Sequence, residues 1–269
     1  MWESLIDGNK LGYMAMLRNL RNIINAAPAN IDKVYAKLAN KEQVLKSKQL
    51  PFRFYAAYQE VAKLPNAGTK VLDVLETALE YSIENLPKLS GTTVIAIDTS
   101  GSMGSRISAK SDILCVDIAR LLAVIASHIC ENAIVYAFDT GIHKVQISSR
   151  GGIIQTAKSV TFYGGGTNLA LPLLEMLKNR IKADRLLMFS DNMINYGYKN
   201  TCETLAGQYR SQLNPNLWVH AVDLVGYGTQ QFVGARTNII AGWSEKVLEF
   251  IQLAEVGIET QVKKIENFA

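Results

Sequence analysis

The chain of 269 residues is 48% apolar and 19% charged, the balance of a globular protein that buries a sizeable core, in one large domain or two small ones. No apolar run reaches the roughly 18 residues of a membrane span, the polar start Met1–Lys10 lacks the apolar stretch of a secretory signal, and Cys115, Cys130 and Cys202 are scattered and odd in number, which excludes a disulfide framework and predicts reduced thiols in a cytoplasmic protein; three dispersed histidines and no Cys-x-x-Cys exclude a zinc cluster. The net charge of +4 is uneven, since residues 10–63 hold ten basic side chains against three acidic ones, a local excess of seven, which is a footprint of nucleic-acid binding and equally the pattern of solvated helix faces.

The first ninety residues read as helices. Leu11, Met14, Leu17, Leu20 and Ile24 recur every three or four positions, predicting one apolar stripe with Arg18 and Arg21 outside it. Pro28 and Asn30 mark a break, with Asn30 a candidate N-cap for a short helix carrying Ile31, Val34, Tyr35 and Leu38. After Leu50-Pro51, Phe54, Tyr55, Tyr58 and Val61 predict another helix. The turn Pro65–Gly68 leads to a longer one with Val71, Leu75, Ala78, Leu79 and Ile83, ending near Pro87. These short paired helices look like pieces of an α-solenoid without a clean repeat period.

After Leu89-Ser90-Gly91, short β-branched runs alternate with helical patterns. Strands are expected at 93–97, 133–138, 185–189, 218–225 and 238–240, with an antiparallel edge strand at 143–147. Helices are expected at 108–129, 153–158, 169–180, 200–210 and 243–253. Alternation of this kind predicts an α/β fold with a doubly wound, mainly parallel sheet. Ligands in such sheets bind at the carboxyl ends of strands, where strand order reverses.

One constellation carries chemistry. An apolar strand, Val94–Ile97, runs into Asp98-Thr99-Ser100-Gly101-Ser102, whose alternation turns Asp98, Ser100 and Ser102 toward one point. Gly164-Gly165-Gly166-Thr167 offers a further hydroxyl on a glycine-rich loop, and Phe189-Ser190-Asp191-Asn192 a carboxylate at the end of another strand. All five side chains are oxygen donors, three of them neutral, which suits a hard, partly hydrated cation such as Mg²⁺ or Mn²⁺. Two carboxylates balance the ion's charge and a following helix N-terminus adds positive potential, so the site should favour an anionic further ligand. A phosphatase built on Asp98 would need a second acid two residues on; Ser100 stands there. No Ser/His/Asp or Cys/His signature is present, and binding without catalysis is expected.

The three segments resemble the adhesion-site pattern of the von Willebrand factor type A (vWA) superfamily, Asp-x-Ser-x-Ser followed by a distant Thr and a distant Asp. The resemblance implies that Ser100, Ser102 and Thr167 ligate directly and that Asp98 and Asp191 act partly through water.

The helical segment carries a narrower resemblance. Trp2-Glu3-Ser4-Leu5-Ile6, Asn9-Lys10-Leu11-Gly12-Tyr13, Leu17–Ile23, Leu50-Pro51-Phe52-Arg53-Phe54 and Phe189-Ser190-Asp191-Asn192 are similar to the Ro ribonucleoprotein (TROVE-domain) family. It implies a small all-α helical-repeat module over 1–90, the end of a TROVE domain, followed by a vWA domain over 91–269. Members bind small noncoding and misfolded RNAs through a ring of helical repeats. Most of that ring has no counterpart here, so self-association is expected. Lys10, Arg18, Arg21 and Arg53 are the candidate RNA contacts. Tyr13, Tyr55 and Tyr58 could stack bases or belong to the core; Trp2 is expected in the core and His143 at the surface. The expected function is RNA binding with a divalent-metal adhesion site. The alternative is a protein-interaction module whose metal captures a partner's acidic residue.

Overall fold

The computed structural model describes residues 1–109, 111–148, 151–193, 201–226, 231–244 and 246–257. They form two compact units: Met1–Leu86 together with Gly152–Ile154, and Pro87–Gly151 with the described residues from Gln155 onward.

The first unit is helical: α1 (Trp2–Asp7), α2 (Tyr13–Arg18), α3 (Leu20–Ala26), α4 (Ile31–Leu38), α5 (Lys41–Ser47), α6 (Pro51–Val61) and α7 (Thr69–Ile83). The stripe expected to run unbroken through residues 11–24 is divided at Asn19, whose Nδ2 donates to the Ala15 carbonyl at 2.8 Å. The Asn19 amide keeps its ladder bond to the same carbonyl at 3.1 Å, and the break lies in the Asn19 backbone, which leaves the helical region at φ −98° and ψ 8°. The division rotates the buried set to Tyr13, Met16 and Leu17 and leaves Met14 41% exposed. Asn30 does not cap α4 with its side chain; its Nδ2 instead donates to the Glu3 carbonyl at 3.1 Å, tying α1 to the start of α4. Helix α5 was not expected. Its signal is Asn40, whose Oδ1 accepts from the Gln43 amide at 3.0 Å, an N-cap that stabilises a short polar helix. Pro51 opens α6 at the first-turn position where its missing N–H costs nothing. Phe54, Tyr55, Tyr58, Leu75 and Leu79 are buried in this unit's core. Tyr13 is buried beside them, its hydroxyl donating to the Leu38 carbonyl at 2.7 Å. The three tyrosines are therefore core residues, while Trp2 is only half-buried.

The second unit is a six-stranded sheet in the order β3-β2-β1-β4-β5-β6. Its strands are β1 (Leu89–Asp98), β2 (Cys130–Phe138), β3 (Ile142–Val145), β4 (Arg185–Ser190), β5 (Trp218–Asp223) and β6 (Thr237–Ala241). Its helices are α8 (Cys115–Ile129), α9 (Ile153–Ser159), α10 (Leu171–Lys178), α11 (Thr201–Gln212) and α12 (Lys246–Val256). All pairings are parallel except the β2–β3 edge, antiparallel as expected. Val94, Ala96, Tyr136, Phe138, Leu186, Met188, Val219 and Ala221 pack on one face with α10 and α11. The intervening Ile95, Ile97, Leu187 and Phe189 are equally buried, so β1 and β4 are covered on both sides, as parallel strands require.

The helix expected from Ser108 starts at Cys115 instead. Before it, Arg106 and Leu114 pair in a bridge and the Ile107 amide bonds to the Ile113 carbonyl at 2.9 Å. Asp117 then accepts from the Leu114 amide at 3.1 Å, setting the start of α8. Asn200, expected to open α11, and residues 258–269 of the expected second domain lie outside the described residues. Cys115, Cys130 and Cys202 are free thiols. No helix among the described residues is long and apolar enough to cross a membrane.

Candidate functional site

The chain builds β3-β2 outward from one side of β1 and β4-β5-β6 from the other. The strand order therefore reverses between β1 and β4, and the crevice beyond their carboxyl ends is the ligand position of such sheets. Asp98 ends β1 and Asp191 follows β4, with Ile97 paired to Phe189. The Ser190 hydroxyl donates to Asp98 Oδ2 at 2.5 Å, and the Ser100 amide donates to Asp98 Oδ1 at 2.9 Å. The Ser100 and Ser102 oxygens stand 3.3 Å apart.

The glycine-rich loop is clasped onto this turn. The Gly101 amide donates to the Gly165 carbonyl and the Gly164 amide to the Thr99 carbonyl, both at 2.8 Å. A Cβ on Gly101 would lie 3.1 Å from the Gly164 carbonyl oxygen, and Gly164 sits at φ +78°, so both positions need glycine. The clasp holds the loop that carries Thr167 against this turn; Thr167 is 1% exposed, with a hydroxyl oxygen that has no hydrogen-bond partner among the described residues. Asp98, Ser100, Thr167 and Asp191 are buried and Ser102 half-buried. Between Ser100 and α8 lies a four-residue 3-10 turn, Gly101–Gly104, where the sequence suggested a helix; the expected helix N-terminus directly after the Asp-x-Ser-x-Ser segment is absent.

The electrostatics agree with a cation site. Burial pushes the Asp98 carboxyl up to about 6 against the hydrogen bonds from Ser100 and Ser190, and the charge of Asp191 pushes the same way. Burial, with Asp191 adding, also pushes the Cys115 thiol to about 11. Two buried carboxylates raise each other's cost, and an orphaned buried hydroxyl carries an unmet desolvation penalty. A hard cation relieves both, so the donors present fit Mg²⁺ or Mn²⁺. No group of three or more His, Cys, Asp or Glu that could hold a metal ion occurs among the described residues, so a cation here would depend on the three hydroxyls beside the two carboxylates.

Three of the four basic candidates come together elsewhere. Arg18, Arg21 and Arg53 line one groove of about 320 Å³ with Met14, Leu17 and Glu60; Lys10 is exposed but does not line it. Arg21 Nη1 meets Glu60 at 3.1 Å, an exposed pair of small energetic weight. Arg18 and Arg53 have no ion pair among the described residues and are exposed.

Sequence reasoning missed Asp139. It directly follows β2, as Asp98 closes β1, and its Oδ1 accepts from the Gly141 amide at 2.8 Å while Oδ2 accepts from Gly165 at 3.1 Å. It thereby anchors the Thr167 loop. An acid directly after an apolar strand was the available signal.

Family models place a TROVE domain over residues 1–85 and a Ro60 vWA domain over residues 92–238. RNA-binding protein RO60 of Caenorhabditis elegans is 26% identical over 206 residues, covering 71% of this chain and 31% of that protein. Mouse telomerase protein component 1 is 41% identical over 66 residues, 24% of this chain and 2% of that protein. The chain thus spans less than a third of either relative's length. A crystal structure of the Deinococcus radiodurans RO (RSR) protein superposes with a TM-score of 0.73 at 20% identity, covering 90% of this chain and 54% of that one, a likeness of fold. With a TROVE match at its start and the Ro60 vWA match over more than half its length, the chain belongs to the Ro family of TROVE-domain proteins.

Proposed function

We propose that this chain binds RNA, small noncoding or misfolded, through its helical unit, and that its sheet carries a divalent-metal adhesion site. The observation that carries the reading is the groove in which Arg18, Arg21 and Arg53 converge. Three guanidinium groups over an apolar floor match phosphates flanking exposed bases. The C. elegans relative is named for RNA binding.

At the second site Ser100, Ser102 and Thr167 would hold Mg²⁺ or Mn²⁺ together with Asp98 and Asp191. The bound ion supplies a Lewis-acidic position for an anionic ligand. The chain's own residues orient the donors: Ser190 fixes Asp98, and Asp139 fixes the Thr167 loop. The role is binding without catalysis, in a cytoplasmic protein that self-associates. A second reading, capture of a partner protein's Asp or Glu at the metal, rests on the orphaned Thr167 hydroxyl, since it needs the metal site alone.

A salt titration tests the RNA reading. Neutralising phosphates releases counterions, so affinity for single-stranded RNA should fall steeply with salt. Arg18→Ala with Arg53→Ala should lower the log–log slope by about one and a half, at about 0.7 per contact. The thermal midpoint should hold, because both side chains are exposed and without ion pairs among the described residues. An unchanged slope removes the groove from the RNA surface. No binding by the wild type at low salt leaves the metal-dependent protein reading.

A further inference from the structure

Beside the adhesion site the sheet unit presents aromatic rings to solvent. Tyr163 is 43% exposed and Phe162 40% exposed. The Tyr163 ring lies on that of His143, which is also exposed, with centroids 4.0 Å apart and planes 14° apart. The next residue, Gly164, donates to the Thr99 carbonyl at 2.8 Å, and Ser100 follows Thr99. His143 sits over Gly141, whose amide is held by Asp139. Phe162 lies over Gly104, at the end of the turn that carries Ser102. The rings are therefore mounted on the same hydrogen-bonded loops that assemble the donor set.

The Tyr163 and His143 rings are exposed in contact with each other and not singly, and contiguous exposed apolar surface marks interaction sites. A parallel pair of exposed rings is a platform that a third flat ring extends, and every nucleobase has such a face. We propose that the Tyr163–His143 stack receives one base of a single-stranded nucleic acid whose adjacent phosphate occupies the adhesion site. The ion's open ligand position selects the same occupant: a hard cation takes an anionic oxygen, and one nucleotide offers such an oxygen together with a flat ring. An acidic peptide offers the anion without the ring. This inference rests on the metal reading above.

The test uses the full chain, Mn²⁺ and a uridine trinucleotide. Calorimetry first measures Mn²⁺ binding. Phosphorus NMR then reads paramagnetic broadening of the trinucleotide phosphates, which requires a phosphate close to the ion and should persist in Arg18→Ala with Arg53→Ala. Broadening is expected, and EDTA should abolish it. Tyr163→Ala should weaken the trinucleotide roughly 5- to 150-fold, the range of one lost base–aromatic stack, with Mn²⁺ affinity unchanged. Tyr163→Trp should restore it, and a trinucleotide-length abasic ribose phosphate should bind wild type as weakly as the trinucleotide binds Tyr163→Ala. Mn²⁺ binding without phosphorus broadening overturns this inference alone. So does equal trinucleotide affinity of wild type and Tyr163→Ala, or an acidic peptide that binds metal-dependently where the trinucleotide does not. Absence of Mn²⁺ binding overturns the metal reading and this inference with it.

Discussion

Thr167→Val should stabilise the metal-free protein while weakening Mn²⁺ binding at least about tenfold, the scale on which even outer-shell changes act at metal sites. The two effects have one cause. The Thr167 oxygen is buried without a partner, so the metal-free fold carries a desolvation penalty of about 1–3 kcal/mol that a near-isosteric methyl removes. The same methyl cannot ligate. Thermal unfolding in EDTA should show a raised midpoint, and calorimetry with Mn²⁺ a raised dissociation constant. A variant that unfolds earlier and binds Mn²⁺ like wild type would make Thr167 a structural residue.

Glu255→Ala should destabilise the sheet unit by about 3–5 kcal/mol, because it leaves a buried guanidinium unpaired. Arg185 and Glu255 meet at 2.7 Å with side chains 5% and 16% exposed. Arg185 Nη1 also donates to the Ser90 carbonyl and to Thr93, at 2.7 and 2.9 Å. Asn238 Nδ2 lies 3.1 Å from His220 Nδ1; if the amide donates there, Nε2 carries the proton toward Glu255 at 3.0 Å. Burial alone would raise the Glu255 carboxyl, but the hydrogen bonds from Arg185 and His220 outweigh it and hold it at about 2, below its ordinary 4.5. A depressed folded-state value contributes stability that is present above 4.5 and lost as pH falls toward 2. Wild type should therefore lose stability over that acid window, and Glu255→Ala should lose less there. Arg185→Met with Glu255→Leu, which removes both charges, should cost less than Glu255→Ala alone. Chemical denaturation as a function of pH measures all three, and an additive double variant would sink the buried-pair account.

The regular part of the fold was legible because its signals are local. The short, β-branched apolar run Val94–Ile97 marked a buried strand candidate, and the three-to-four spacing of Val71, Leu75 and Leu79 marked the core face of a helix. The start of α8 was not legible, because it depends on the Arg106–Leu114 bridge and the Asp117 cap rather than on periodicity. The split at Asn19 was hidden for a similar reason: asparagine fits a helix surface by pattern, and its backbone departure from the helical region exists only in three dimensions.

The donor types at the proposed adhesion site were set by the sequence itself, since Asp98, Ser100, Ser102, Thr167 and Asp191 stand on strand ends and a glycine-rich loop that local patterning marks. Their convergence was decided by the tertiary structure. Parallel pairing of β1 with β4 places Asp98 beside Ser190 across 92 residues of chain. Asp139 holds the Thr167 loop across 26 residues. The same holds for the basic residues: exposure of Arg18 followed from the helical stripe, but its meeting with Arg53 in one groove follows from the packing of α2 against α6. Periodicity fixes which way a side chain faces along its own element. Which elements become neighbours depends on burying their apolar faces together, a long-range constraint that no local window of sequence contains.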